Sequence, residues 1–475
     1  MNLRTHVLRL LIPLVVGTSA ALAHAETIRV AIGTQDTTIN CATGGLLIRE
    51  LHLLDKYLPH TGKYKDVTYD VQWKDFTSGA PLTNEMVAGR LDFGAMADFP
   101  GALNGAAFQK AGKRSVFITV LSGSIDGSGN GIVVPMNSPL HSIADLKGKT
   151  ISVPFASTSH GMLLRAIKAQ GWDPDTDVNI ITQAPEVAGS ALKAGKIDAH
   201  ADFVPFADLF PYRGIARKIY DGAQSHAPTF HGALVDAAYA QKYPEIVVAY
   251  LRAAIEANRL MNEDPEKYSL LIEKVTGIEA PVDYLYHGPL GIQTRDLTWK
   301  PEYRQAVATA IDTLKLLKKT DVALDPKTFI DDRYIREAFK ESHLDYDAAL
   351  ADYSKFALTA NDAATGKPIR NDRDVAQIWL TNEAHVRNYA NPTEAFAALD
   401  KLRRDGETAR VVYVRDHASG LKLFAKQAWY VKDRTGAIAA FLLRSNAATY
   451  AQQVSGNVDD YAAISKRAGP SLAAR

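Results

Sequence analysis

Two short segments of the chain repeat one pattern. Residues 88–98 read AGRLDFGAMAD and residues 194–203 read AGKIDAHADF: Ala-Gly, a cation, an apolar residue, then Asp. The glycine suits the position just past a helix C-terminus, where a left-handed backbone is needed. The apolar run after it reads as a strand. The flanking segments match as well. TIRVAIG (strand), LLIRELHLLDKYL (helix), VTYDVQW (strand) and PLTNEMVAG (helix) lead into the first copy; KTISVPF, MLLRAIKAQG, VNIITQA and PEVAGSALKAG lead into the second. Each half therefore reads β-α-β-α-β. That alternation implies parallel sheets with helices on their faces, hence two similar α/β lobes. The loops TQDTT, FTSGAP, MADFPG and ASTSHG all follow strand C-termini, the edge at which open α/β sheets bind ligands. Two such edges facing each other make one cleft. The Gly- and Ser-rich stretch 123–131 reads as a crossover or hinge; its glycines precede a strand and open no helix, so it is no dinucleotide fingerprint.

The ends of the chain set its compartment. Arg4 and Arg9, an uncharged apolar stretch from Leu10 to Ala23 and the small-x-small triplet Ala23-His24-Ala25 make residues 1–25 a secretory signal peptide. Removing it takes the formal charge from +1 to −1, which leaves no electrostatic footprint for nucleic acid. The only cysteine, Cys41, lies well past the cleavage site, so neither a disulfide nor a lipid anchor is expected. An exported chain with a large core and no staples suits a bacterial periplasm. The expected division is lobe 1 (26–122), lobe 2 with its crossovers (123–231), a mostly helical return to lobe 1 (232–357, with a break near Pro265), a polar linker (358–374) and a small α+β module (375–475).

PMNSPLHSIADLKGKTISVPFASTSHGMLLRAI, DFGAMADFPG, GKIDAHADFVPFADL and YPEIVVAYLRAAIEAN together resemble the nitrate/sulfonate/taurine family of ABC-transporter substrate-binding proteins. The resemblance covers about residues 27–320. It implies a two-lobed, type II periplasmic binding fold that closes on a small oxyanion. It also implies delivery to an inner-membrane permease with its ATPase, and no enzyme activity, cofactor or metal in this chain. Its ligand loops carry over to Gln35 and Asp36, to Ser78, Gly79 and Ala80, to Asp98 and Phe99, to Ser157, Thr158, Ser159 and His160, to Glu186, and to Phe203. Many relatives have Trp-Asp-Pro before an aromatic where this chain has Phe203-Val204-Pro205-Phe206, so the ligand cannot be copied from any one of them.

The stretch SVPFASTSHG poses the sharpest choice, between a serine nucleophile beside a base and an anion cradle. The first N–H groups of a helix lack internal partners and the dipole is positive there, so a sulfonate, sulfate or nitrate can accept those bonds and the Ser and Thr hydroxyls can donate more. Ser157 or Ser159 can also cap its own helix. A nucleophile needs a base held by a third group, and no Gly-x-Ser-x-Gly elbow is present. Asp36, Asp98, Asp202 and Glu186 near the cleft either cap helices or meet a cationic group on the ligand, as in an aminosulfonate. Asp92 and Asp198 read as structural, at strand starts, and Arg165 as solvated or lobe-packing. The thirteen histidines show no metal-ligand spacing.

These readings converge on a monomeric binding protein for a sulfonate or sulfate ester, with Phe99 and Phe203 packing the organic part. Nitrate, taurine or a thiamine-pyrimidine precursor is the alternative in the same fold. In the module 375–475, QAWYVKD followed by AFLLRSNAATYAQQVSG resembles the copper-binding accessory lipoprotein of nitrous oxide reductase, but the module has no Met or Cys to hold Cu(I). It leaves a sensor or accessory role as a further alternative.

Overall fold

The first strand, β1 (Thr27–Thr34), is buried from Val30 onward, because helices cover both faces of its sheet. The structure is a computed structural model that describes residues 26–316, 323–353 and 358–467; the expected signal peptide, residues 1–25, lies outside them. Nine further strands complete two sheets: β2 (Thr68–Asp75), β3 (Phe93–Ala97), β4 (Ser115–Ser124), β5 (Gly131–Pro135), β6 (Thr150–Val153), β7 (Asn179–Thr182), β8 (Ala199–Asp202), β9 (Ala216–Asp221) and β10 (Thr229–Asp236). The first sheet has the order β2-β1-β3-β10-β4 and the second β7-β6-β8-β5-β9.

The two orders are the same when β6, β7 and β8 stand for β1, β2 and β3. The expectation of parallel sheets needs correction at one strand in each. β10 runs antiparallel between β3 and β4, and β5 antiparallel between β8 and β9. Each inserted strand comes from the other side of a crossover: β4 leads through 125–130 into β5, and β9 through 222–228 into β10. Both sheets are therefore mixed, and the chain passes between lobes twice.

The helices are α1 (Leu46–Glu50), α2 (Gly79–Val87), α3 (Asp98–Lys110), α4 (Thr158–Ala169), α5 (Pro185–Lys193) and α6 (Phe206–Tyr212) in the lobes. They continue with α7 (Ala237–Lys242), α8 (Pro244–Glu263), α9 (Pro265–Thr276), α10 (Ala280–His287) and α11 (Pro301–Leu316). The repeat is visible in atomic detail. Gly89 and Gly195 follow α2 and α5 with φ of 71° and 63°, the left-handed geometry their positions require. Asp92 Oδ2 accepts from Ala31 N and Asp198 Oδ2 from Thr150 N, both at 2.8 Å, so each aspartate ties its strand start to the neighbouring strand. The long helix expected over residues 46–58 is shorter: α1 has five residues, and His52 at φ 51° turns the chain away. The break near Pro265 is real; Asp264 caps α9 by accepting from Lys267 N at 3.1 Å. α8 seats Tyr250 on Phe93 of β3, ring centres 4.8 Å apart, which brings the helical return onto the first lobe.

The C-terminal strands β11 (Ala376–Leu380), β12 (Arg387–Tyr389), β13 (Ala409–Arg415) and β14 (Lys422–Phe424) form an antiparallel sheet of order β12-β11-β13-β14. β15 (Trp429–Lys432), β16 (Ile438–Phe441) and β17 (Asn457–Asp459) form a second, of order β16-β15-β17. The polar stretch 358–374, read as a linker, is stitched to these sheets. Asp362 Oδ2 accepts from Ala390 N at 2.8 Å, and Ala363 N donates to Asn388 O at 2.7 Å. Tyr413 Oη donates to Pro281 O of α10 at 2.8 Å, and Gln427 Nε2 to Pro211 O of α6 at 2.9 Å. The C-terminal sheets thus rest on helices from both parts of the binding unit.

Candidate functional site

The C-terminal strand edges of both lobes face one cavity of about 220 Å³. Four helix starts converge on it: Ser78, Gly79 and Ala80 at α2, Ala97 and Pro100 at α3, Ser157 and Thr158 at α4, and Ala184 to Glu186 at α5. Gly79 allows the first two to meet, since a Cβ there would come within 2.6 Å of Pro100 Cβ. Each start presents N–H groups without intrahelical partners and the positive end of a dipole. Among the described residues no lysine or arginine lines the cavity; its ionisable groups are Glu186 and His231. Burial pushes His231 down to about 3, so its ring is neutral.

Ser78 and Ser157 occupy equivalent places and behave differently. Ser157 Oγ donates to Pro154 O at 2.6 Å and accepts from His160 N at 3.2 Å, so it caps α4. Ser78 makes no side-chain cap bond, and its hydroxyl remains for something else.

Eight of the expected residues line the cavity: Gln35, Ser78, Gly79, Ala80, Ser157, Thr158, Glu186 and Phe203. Five sit behind the lining. Asp36 accepts from Arg49 Nη1 at 2.9 Å, so its charge is taken up thirteen residues along the chain. Asp98 is buried; its Oδ1 accepts from Phe99 N at 2.6 Å and faces Thr158 Oγ1 of the other lobe at 3.5 Å. Burial raises its carboxyl from 3.8 to about 6, against the pull of the Phe99 N–H, the Thr229 hydroxyl and Arg165. Phe99 is itself buried in the first lobe's core, which corrects its expected place against a ligand. Ser159 is fully buried with its Oγ 2.8 Å from Ser157 Oγ. His160 Nδ1 accepts from Ala156 N at 3.4 Å, and its ring stacks on Phe155 at 4.7 Å.

Sequence reasoning missed Thr38, Thr77, Phe155, Thr182, Gln183 and His231 on the lining. His231 comes from β10, the inserted strand, and Phe155 is 45 % exposed two residues past the end of β6; an aromatic directly after an apolar strand run was the available signal. A Ser–His–Asp chain does exist, but elsewhere. Ser152 Oγ, His200 Nδ1, His200 Nε2 and Asp202 Oδ2 are linked by contacts of 2.7 Å each. All three side chains are fully buried and none lines the cavity, so this chain is a core network. Cys41 lies behind the cavity with Sγ 3.5 Å from His231 Nδ1; burial pushes its thiol up to about 12, which keeps it protonated.

This architecture, two mixed α/β lobes joined by two crossovers around a cleft, is the periplasmic binding protein fold. Within that class, residues 59–275 match the NMT1-like family. A protein of Escherichia coli (strain K12) provisionally named as aliphatic sulfonates-binding is 29% identical over 277 residues, which cover 58% of this chain and 80% of that protein. The taurine-binding periplasmic protein of the same strain is 29% identical over 283 residues, covering 56% of this chain and 84% of that one. The crystal structure of the periplasmic aliphatic sulphonate binding protein SsuA from Escherichia coli superposes with a TM-score of 0.52 at 26% identity, covering 66% of this chain and 99% of that chain. These homologues are binding proteins.

Proposed function

We propose that this protein is the periplasmic binding component of an ABC importer and that it carries a small organic sulfonate or sulfate ester to an inner-membrane permease and its ATPase. The observation that carries the reading is the convergence of four helix starts and several hydroxyls on one inter-lobe cavity lined, among the described residues, by no lysine or arginine. Such a neutral cradle holds an oxyanion through N–H and O–H donors and still releases it. Phe155 and Phe203 supply apolar walls for the organic part. The Ser and His side chains of the α4 start are engaged in capping and stacking, so this turn offers no activated serine, in keeping with binding without chemistry. Export through the leader at residues 1–25 belongs to the same reading.

A thermal-shift screen with sulfate, nitrate, alkyl and aryl sulfonates, sulfate esters and taurine tests it. A ligand at a hundred times its Kd adds roughly 2.7 kcal/mol. Ser78→Ala is expected to weaken the response tenfold or more while leaving the unliganded melting temperature unchanged. Silence across the panel, or hits with cations alone, would overturn the reading. Glu186 favours one variant of it, a ligand that also carries an ammonium group. Taurine binding that drops in Glu186→Gln while ethanesulfonate binding does not would establish that variant.

A further inference from the structure

A second polar cavity lies away from the cleft, under the loop 288–295, where α8 ends and α9 begins. Its volume is about 330 Å³. The loop is built to a fixed path. A Cβ on Gly288 would meet the Tyr284 ring at 2.7 Å, one on Gly291 would meet the Tyr286 carbonyl oxygen at 2.2 Å, and Leu290 is held at φ 59°, a conformation that persists only where the surroundings impose it. His287 and Arg295 line the cavity and are 5% and 7% exposed. Arg295 Nη2 donates to Met261 O at 3.3 Å and to Asn262 Oδ1 at 3.0 Å. Among the described residues its Nε and Nη1 have no hydrogen-bond partner, and the His287 ring faces the Gln293 backbone without a bond of good geometry. Buried donors left unpaired are destabilising, and Nε and Nη1 of Arg295, both open at one cavity, call for an acceptor.

The charge of that acceptor follows from its surroundings. Burial lowers Arg295 only to about 10, so the guanidinium is cationic at neutral pH. Asp283 acts on it through space; its Oδ2 accepts from Ser269 Oγ at 2.7 Å, and its buried Oδ1 has no hydrogen-bond partner among the described residues. Burial and the field of Arg295 hold the His287 ring neutral, so it offers one N–H and no charge. A fixed cation already partly compensated by Asp283 takes up at most one further negative charge, which favours a singly charged ligand over a doubly charged one.

The geometry points to a second anion site here, in which Arg295 Nε and Nη1 and the His287 ring hold a small inorganic anion of single charge, such as a halide. This cavity is distinct from the cleft, and its nearest ties to it are Gln293 Oε1, which accepts from Asn40 Nδ2 at 2.6 Å, and His287, which feels the field of His231 on the cleft lining. It also sits beside the hinge: Gln293 Nε2 donates to Ser128 O at 2.9 Å, and Thr294 N to Gly123 O at 2.8 Å, so the loop that closes over the anion is bonded to the end of β4 and to the first crossover that follows it.

Bromide is the probe. At constant ionic strength, sodium bromide is expected to raise the melting temperature of the full-length mature protein saturably, by roughly 1–3 °C at ten times Kd. The rise disappears in Arg295→Met and in His287→Asn. A linear, unsaturable trend, or a rise kept in both variants, overturns the proposal. Should either variant fail to fold, anomalous diffraction from wild-type crystals grown in bromide decides. A peak within hydrogen-bond reach of Arg295 Nε or Nη1 that persists at millimolar bromide supports the site; ordered water alone in the cavity, or binding at crystal concentration only, overturns it.

Discussion

The two lobes carry the same corner with one residue changed. Residues 95–99 read AMADF at the end of β3, and residues 199–203 read AHADF at the end of β8. In both, the aspartate is buried and its Oδ1 accepts from the next phenylalanine's N–H, at 2.6 Å and 2.8 Å. Where the second lobe has His200, whose ring bonds Asp202 at 2.7 Å and Ser152 beyond it, the first has Met96, a weak partner at best. Asp202 is thus satisfied inside its own lobe. Asp98 feels the Thr229 hydroxyl and the Phe230 backbone of its own lobe and also looks outward, to Thr158 of the opposite lobe and to the field of Arg165. A single thioether-for-imidazole difference separates a corner that stabilises one lobe from a corner that senses the other.

The largest way to break this contrast is His200→Met, which makes the second corner like the first. It strands the Asp202 carboxylate and the Ser152 hydroxyl in a dry core, and is expected to destabilise the protein by about 3–5 kcal/mol in urea unfolding. Next comes Asp98→Asn. Because Asp98 titrates near 6 when folded against 3.8 in its ordinary state, the folded protein holds this proton more tightly than the unfolded chain. The stabilisation is complete below about pH 4 and is lost as pH rises through about 6, a fall of roughly 3 kcal/mol. The variant should lack that fall, visible as a flatter plot of stability against pH than wild type.

Ser157→Ala against Ser78→Ala extends the comparison to the helix starts. The first removes a cap and is expected to lower stability by about 1 kcal/mol; the second leaves stability within about 0.5 kcal/mol, since Ser78 caps nothing. The smallest effect is Thr158→Val, which deletes the one hydroxyl Asp98 meets across the cleft, at 3.5 Å. It should weaken ligand binding by about 0.5–1 kcal/mol with no change in the stability of the unliganded protein, read by calorimetric titration.

The repeat, the left-handed glycines at 89 and 195 and the roles of Asp92 and Asp198 were legible because each depends on neighbours within one β-α unit. Strand pairing was not. Apolar runs in β5 and β10 look the same whether a strand runs parallel or antiparallel, and the insertion places residues far apart in sequence side by side, as when His231 pairs with Ala97. The same limit governs the site. The loops were readable as loops, but side-chain direction was not: adjacent residues at the start of α4 divide between the lining (Ser157, Thr158) and the core (Ser159, His160). Asp36 looked available because its partner, Arg49, lies beyond an irregular stretch that the sequence pattern showed only as a loop.

The exchanged strands also impose an order on assembly. β6 through β9 and the inserted β5 are contiguous in the chain, so the second lobe holds a complete sheet once residue 221 has emerged. The first lobe starts earlier and finishes later. Between β3 and β4 it keeps a vacant slot until residues 229–236 arrive to fill it. A nascent chain therefore carries two apolar strand edges, open to mispairing, for the whole time the second lobe takes to appear. The later-made half of the molecule is the first that can stand, and the N-terminal half waits on it.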